Sequence, residues 1–171
     1  HLRQQAYLVK GLRISIIDAR EQSEVDDTSV VYLRDLALDT PSMSFYFEGG
    51  LMSLVRFENE HQKPVHKNIF YVDKPASGNE YETVEVALQY VDDISSRILP
   101  FANNIYTAEG GTHVTGFKTA LTRSLNTYAR KNNLVSEKED NFTGDDVLEG
   151  LTAVISIKLR EIQFEGQTKG K

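Results

Sequence analysis

Apolar and polar residues follow two different periods along this chain, and the changes of period mark its elements. Leu2, Ala6 and Val9 fall at helical spacing, and Gly11 follows where such a helix would stop. Leu12 to Ile17 alternate apolar with polar, which predicts a strand. The acidic stretch Glu21 to Asp27 reads as a loop or hairpin tip. Val30, Val31 and Tyr32 predict another strand, and Leu33 to Ser42 fits neither period and contains Pro41. Phe45, Tyr46 and Phe47 run as a strand into Gly49-Gly50, and Leu51, Leu54 and Val55 return to the helical period, which ends before Pro64.

The pattern then changes character. Ile69 to Val72 predicts a short apolar strand, and Lys74 to Glu80 a polar turn. Val84, Val86, Leu88 and Tyr90 alternate with Glu85, Ala87 and Gln89, as in a half-buried strand. Ile98 to Tyr106 reads as a third strand, with Pro100 placing it at an edge or a bulge. A long helix is predicted from Thr112 to Lys131. Thr143, with Asp146 three residues on, can cap a short helix that Gly150 ends. Leu151, Ala153, Ile155, Ile157 and Leu159 alternate with Thr152, Ser156 and Lys158, the clearest strand in the chain. No repeat interrupts this order. Gly49-Gly50 divides a helix–strand–strand fragment from an α+β domain.

Composition narrows the functional classes. The 171 residues carry 19 Lys and Arg against 25 Asp and Glu, a net charge of −6, which excludes a surface basic all over but not a local basic patch. With 40% hydrophobic residues the chain can bury a core, so global disorder is excluded. Cysteine is absent, which removes disulfides, thiolate catalysis and thiolate zinc sites together. No apolar run reaches the roughly 18 residues of a membrane span and no signal-peptide pattern opens the chain, so a cytoplasmic protein is expected. His1 at the start and the Gly/Lys-rich end read as a piece of a longer chain.

Three segments could carry chemistry. On a helical wheel at about 100° per residue, Phe117, Leu121, Leu125 and Tyr128 form one stripe; Arg123 and Arg130 lie opposite it with Thr119 and Asn126, and Lys118 and Lys131 flank it. Four basic residues and no acidic one lie between Thr112 and Asn133. Such a face suits phosphate contacts without base readout, and it is equally what an ordinary solvated face with cations at the helix C-terminus looks like. The tail QFEGQTKGK places Gln167, Thr168 and Lys169 among glycines that let the backbone bend around a phosphate; a flexible end has the same composition. Glu109 to His113 form a sharp turn in which Thr112 could cap the helix and His113 hold the turn. No nucleophile or second metal ligand accompanies His113, and His61 and His66 complete no ligand spacing.

Taken in order, the strings LRQQAYLVKGLRISIIDAR, FYFEGG, NIFY, VEVALQY, FANNIYTAEGGTHVTGFKTALTRSLNTYARKNNL, TGDDVLEGLTAVIS and QFEGQTKGK resemble the B subunit of bacterial DNA gyrase and, less closely, that of topoisomerase IV. The resemblance implies that residues 1–49 are the end of a GHKL-type ATPase domain and residues 50–171 a transducer domain, an α+β fold with a left-handed βαβ crossover. It implies that Gln167 and Lys169 reach the γ-phosphate of ATP, Lys169 with a catalytic role, and that the helix bearing Lys118, Arg123 and Arg130 faces a cavity for duplex DNA. Implied with it are ATP and Mg2+ in the parent enzyme but none bound to this fragment, no structural metal, an A-type gyrase subunit and a second B subunit as partners, and no membrane. The fragment alone, lacking the upstream pocket, should be inactive.

One departure is Leu159-Arg160-Glu161-Ile162, where the family often has a Pro-Asp-Pro type stretch. It bears on how the QTK loop is entered. A competing class is a non-enzymatic nucleic-acid-binding module of the same fold, which has no reason to keep the QTK tail. A mismatch-repair or chaperone relative of the same ATPase superfamily is opposed by EGGTH and FEGQTK.

Overall fold

The computed structural model describes residues 1–18, 20, 41–76, 79–136 and 138–162. The chain divides into two compact units, His1–Gly50 and Leu51–Lys171.

In the first unit, α1 (Leu2–Leu8) buries Ala6, Tyr7 and Leu8. The chain turns at Gly11, φ +83°, into β1 (Arg13–Ile17), which pairs antiparallel with β2 (Ser42–Tyr46). Side chains of the two strands meet in register: the Ser15 and Ser44 hydroxyls are 2.7 Å apart, and Ile14 and Ile16 stand opposite Phe45 and Met43. The Tyr7 ring stacks on Phe47 at 3.6 Å, and the Arg13 guanidinium lies over Tyr46 at 4.7 Å. The expected loop at Glu21–Asp27, the strand at Val30–Tyr32 and most of the Leu33–Ser42 stretch lie outside the described residues.

The second unit is a mixed α+β fold. Its helices are α2 (Leu51–Glu58), α3 (Thr112–Lys131) and α4 (Gly144–Leu148), and its strands are β3 (Phe70–Ala76), β4 (Asn79–Tyr90), β5 (Arg97–Ala102), β6 (Ile105–Tyr106) and β7 (Leu151–Lys158). The sheet order is β3-β4-β7-β5-β6; β5 and β7 run parallel and the other pairs antiparallel. The last strand among the described residues therefore sits in the middle, reached from β5 through β6, α3 and α4.

Alternation along β4 and β7 gives the sheet two covered faces. On one, Val86, Leu88, Leu151, Ala153 and Ile155 form a core against Phe117, Leu121 and Leu148. On the other, beside α2, the polar positions of β7 are also buried: Thr152 and Ser156 are each 1% exposed. Thr152 is accommodated by a chain of hydrogen bonds. Its hydroxyl donates to Asn59 Oδ1 at 2.7 Å, Asn59 Nδ2 donates to Gln89 Oε1 at 3.0 Å, and Gln89 Nε2 donates to the His66 carbonyl at 2.9 Å. A buried amide or hydroxyl left unpaired here would cost about 1–3 kcal/mol, so the series fixes how α2 and its exit meet the sheet.

Three expectations need correction. The polar turn of Lys74–Glu80 is shorter than composition implied: Lys74 and Pro75 pair with Val84 and Thr83, and Ala76 with Asn79, because an edge strand tolerates proline and solvated side chains. Ile98–Tyr106 is a hairpin and not one strand. Asn103 and Asn104 take φ of +47° and +64°, so the chain reverses and β6 returns along Phe101 and Ala102. Pro100 is not at an edge: it pairs with Ile155 of β7, and on the other side its carbonyl accepts from the Thr107 N–H at 3.0 Å, just past β6. Finally, Tyr128 is 62% exposed; the buried stripe of α3 runs from Val114 to Ala129, where a smaller side chain allows close packing.

Candidate functional site: the polar face of α3 and the exit of β7

Two glycines deliver the chain into α3. Gly110 and Gly111 have φ of +91° and +140°, and Gly111 is the N-cap. Thr112 is already inside the helix and makes no cap, contrary to expectation. His113 packs back onto the turn, its Nε2 3.3 Å from the hydroxyl of buried Thr107, and burial lowers its pKa, which keeps the ring neutral. A Cβ on Gly111 would lie 3.0 Å from that ring. His113 thus holds the turn and faces no nucleophile among the described residues.

The hydroxyls of α3 are less available than their number implied. Thr119, Thr122 and Thr127 donate to the carbonyls of Thr115, Lys118 and Arg123 at 2.9, 2.9 and 2.8 Å, each four residues back. Their hydrogens are committed to the helix itself. Asn126 is committed to the connection that follows: its Nδ2 donates to the Phe142 carbonyl at 2.9 Å and its Oδ1 accepts from the Phe142 N–H at 2.8 Å.

Arg130, one turn on, is spent in the same way. Its guanidinium donates to the Ser136 and Glu139 carbonyls, and to Asn141 Oδ1 at 3.1 and 3.0 Å. Glu139 Oε2 in turn accepts from the Ser136 N–H at 2.6 Å; that bond, with a smaller contribution from Arg130, lowers the Glu139 pKa. The segment Ser136–Phe142 is therefore fastened across the C-terminal half of the polar face. Arg123 is exposed and Lys118 half-buried, and among the described residues neither side chain has a polar partner. The fastening of Arg130 was missed in the sequence, because a helical wheel shows which residues share a face and not which loop comes back to it.

Gln167 and Lys169 lie outside the described residues. The described chain leading to them leaves β7 at Leu159, where Asn103 holds both backbone groups: its Oδ1 accepts from the Leu159 N–H at 2.8 Å and its Nδ2 donates to the carbonyl at 3.0 Å.

An open cavity of about 680 Å³ is lined by Val65, Ile94, Asp92, Asp93, Asp146 and Glu149, among others. Its carboxylates would repel a triphosphate, so it does not fit a nucleotide. Among the described residues no group of three carboxylates or histidines could hold a metal ion, and no helix is long and apolar enough to cross a membrane.

The sequence model of the DNA gyrase B family, described as DNA gyrase B, matches residues 50–171. The chain belongs to the DNA gyrase B family. The DNA gyrase B protein of Halalkalibacterium halodurans is 46% identical over 170 residues, which are 99% of this chain and 24% of that protein. The 43K ATPase domain of Thermus thermophilus gyrase B, solved with an aminocoumarin, superposes with a TM-score of 0.77 at 33% identity over 99% of this chain and 42% of that one. The topoisomerase IV ATP-binding domain of Francisella tularensis, solved with a small-molecule inhibitor, gives 0.69 at 25% identity over 99% of this chain and 39% of that one. The chain thus spans about a quarter of the gyrase B protein it matches. Within this member of the family, the described residues contribute a mixed sheet, a cationic helix and a clasped strand exit.

Proposed function

We propose that this chain is part of the ATP-hydrolysing B subunit of a bacterial type II topoisomerase, and that it couples nucleotide binding and hydrolysis to closure of a gate and passage of duplex DNA. The observation that carries the reading is the family match over residues 50–171, which includes the QTK tail beyond the central strand β7. Residues 1–49 would be the end of the GHKL ATPase domain, and residues 50–171 the transducer, with the β5–α3–α4–β7 connection as its left-handed crossover.

Gln167 and Lys169 would reach a nucleotide held by residues upstream of this chain. Gln167 would orient the terminal phosphate by hydrogen bonds; the Lys169 ammonium would meet the charge that builds on it during transfer. Mg2+ in the parent enzyme would screen the remaining phosphate charge. The tail then reports whether the terminal phosphate is present, because its contacts exist in one nucleotide state and not the other. Duplex DNA would be held by its backbone, without sequence preference, in a cavity bordered by α3. Two A-type subunits and a second B subunit would complete an A2B2 heterotetramer.

The test uses a longer protein that includes the upstream nucleotide pocket. Lys169→Ala is expected to lower DNA-stimulated ATP turnover by about a hundredfold while leaving nucleotide binding largely intact. Unchanged turnover would remove Lys169 from the active site.

A further inference from the structure

Two halves of one helix face differ in what they can offer a polyanion. In the half containing Lys118 and Arg123, the hydroxyls of Thr119, Thr122 and Thr127 are turned onto the helix, which leaves the two cations as the charged donors that can reach outward. In the other half, the amide of Asn126 and the fork of Arg130 bind the returning segment Ser136–Phe142. By sequence that segment carries Glu137, Glu139 and Asp140 against Lys138, and Glu139 and Asp140 are exposed. The expected phosphate-binding surface is thereby crossed by a strap that brings carboxylates to it.

We propose that DNA phosphate is bound by Arg123 and Lys118, that Arg130 is a positioning residue with no phosphate contact, and that the strap it holds limits how far the duplex extends along α3. The proposal rests on the reading of this helix as a DNA-facing element, and refines which residues do the work. The physical reason is competition for donors. An arginine presents its five N–H groups in a fixed fork, and here four of them donate to two carbonyls and one amide oxygen of the strap. For Arg130 to swing its fork onto a phosphate, its bonds to Ser136, Glu139 and Asn141 must be given up, against the exposed carboxylates of Glu139 and Asp140. Arg123 has no such debt. Lys118, on the flank, is half-buried.

The decisive experiment measures binding of the full chain to a short labelled DNA duplex while salt is varied. Arg123→Gln is expected to weaken binding about fivefold and to reduce the slope of log affinity against log salt by about 1, as loss of one phosphate contact requires. Arg130→Gln should leave that slope unchanged. The paired substitution Glu139→Gln with Asp140→Asn, which leaves α3 untouched, should strengthen binding by about fivefold. If Arg130→Gln costs as much slope as Arg123→Gln, Arg130 is a phosphate ligand and the inference fails, although the helix still binds DNA. If the strap substitutions leave affinity unchanged or lower it, the limiting role of the strap is overturned. If the parent chain shows no duplex binding even at low salt, both the inference and the DNA-facing reading fall. Circular dichroism of each variant separates a lost contact from a lost fold.

Discussion

Gly150 stands at φ +69° immediately before β7, and a Cβ there would lie 2.4 Å from the Val91 carbonyl oxygen and 2.9 Å from that of Asp93. Both neighbours are backbone, so neither can swing aside; the Gly150 carbonyl itself accepts from the Val91 N–H at 2.8 Å. Gly150→Ala is expected to destabilise the second unit by about 3 kcal/mol, whereas Gly144→Ala, at the first position of α4 with no atom within 4 Å of its Cβ, should be neutral or stabilising by about 0.5 kcal/mol. Urea unfolding of both variants checks the order. At this scale the stop at Gly150 was legible, since glycine after an apolar run is a helix-end signal. The reversal at Asn103-Asn104 was not read, although asparagine is among the few residues that accept positive φ, because the apolar residues on both sides looked like one uninterrupted strand. The exposure of Tyr128 was beyond reach for another reason: an aromatic ring at the margin of a stripe turns inward or outward according to what packs opposite.

Among the elements, α4 is short enough that its cap decides it. The Thr143 hydroxyl accepts from the Asp146 N–H at 3.2 Å, while the Asp146 carboxylate accepts from the Thr143 N–H and hydroxyl, each at 2.7 Å. Those last two bonds, the hydroxyl first, lower the Asp146 pKa. A carboxyl whose pKa is depressed in the folded state stabilises that state above its unfolded value, near 4, and loses the contribution as pH falls through the folded value. Thr143→Ala should therefore cost about 1 kcal/mol at neutral pH, and the gap to the parent should narrow when unfolding is repeated near pH 3. This capping box was visible in Thr143-x-x-Asp146, and α3 runs over the residues its periodicity predicted, since both signals are local. The hydrogen bonds that tie Arg130 to the next loop are equally close in sequence, yet they depend on the path of a segment with no period of its own.

For the whole molecule, the two units differ in how much each can stabilise itself. The second has five paired strands with helices on both faces; the described part of the first has one helix on a two-stranded sheet, with Ile16 41% and Met43 57% exposed. A two-stranded sheet is marginal in water. Residues 51–171 expressed alone should melt cooperatively, and residues 1–50 alone should give the circular dichroism of an unfolded chain; a cooperative transition in the short piece would refute this. The α+β class was legible from the mixture of periods. The placing of β7 between β4 and β5 was not, because alternation reports which side chains turn inward and never which strand lies alongside. Small polar residues at Thr152 and Ser156, between apolar neighbours, were a faint sign of a strand covered on both faces.

That central position has a mechanical meaning. β7 is bonded along its length to an antiparallel neighbour on one side and a parallel one on the other, and Asn103 grips the backbone where the strand ends. The residues beyond it, through Gln167 and Lys169, continue from this innermost strand. A pull on them along the strand axis strains both ladders in shear, so many hydrogen bonds bear the load together and none is unzipped first. An edge strand would peel; this one drags the sheet. Tension applied at the tail is thereby passed to the entire second unit as a rigid displacement, the response expected of a lever and not of a tether.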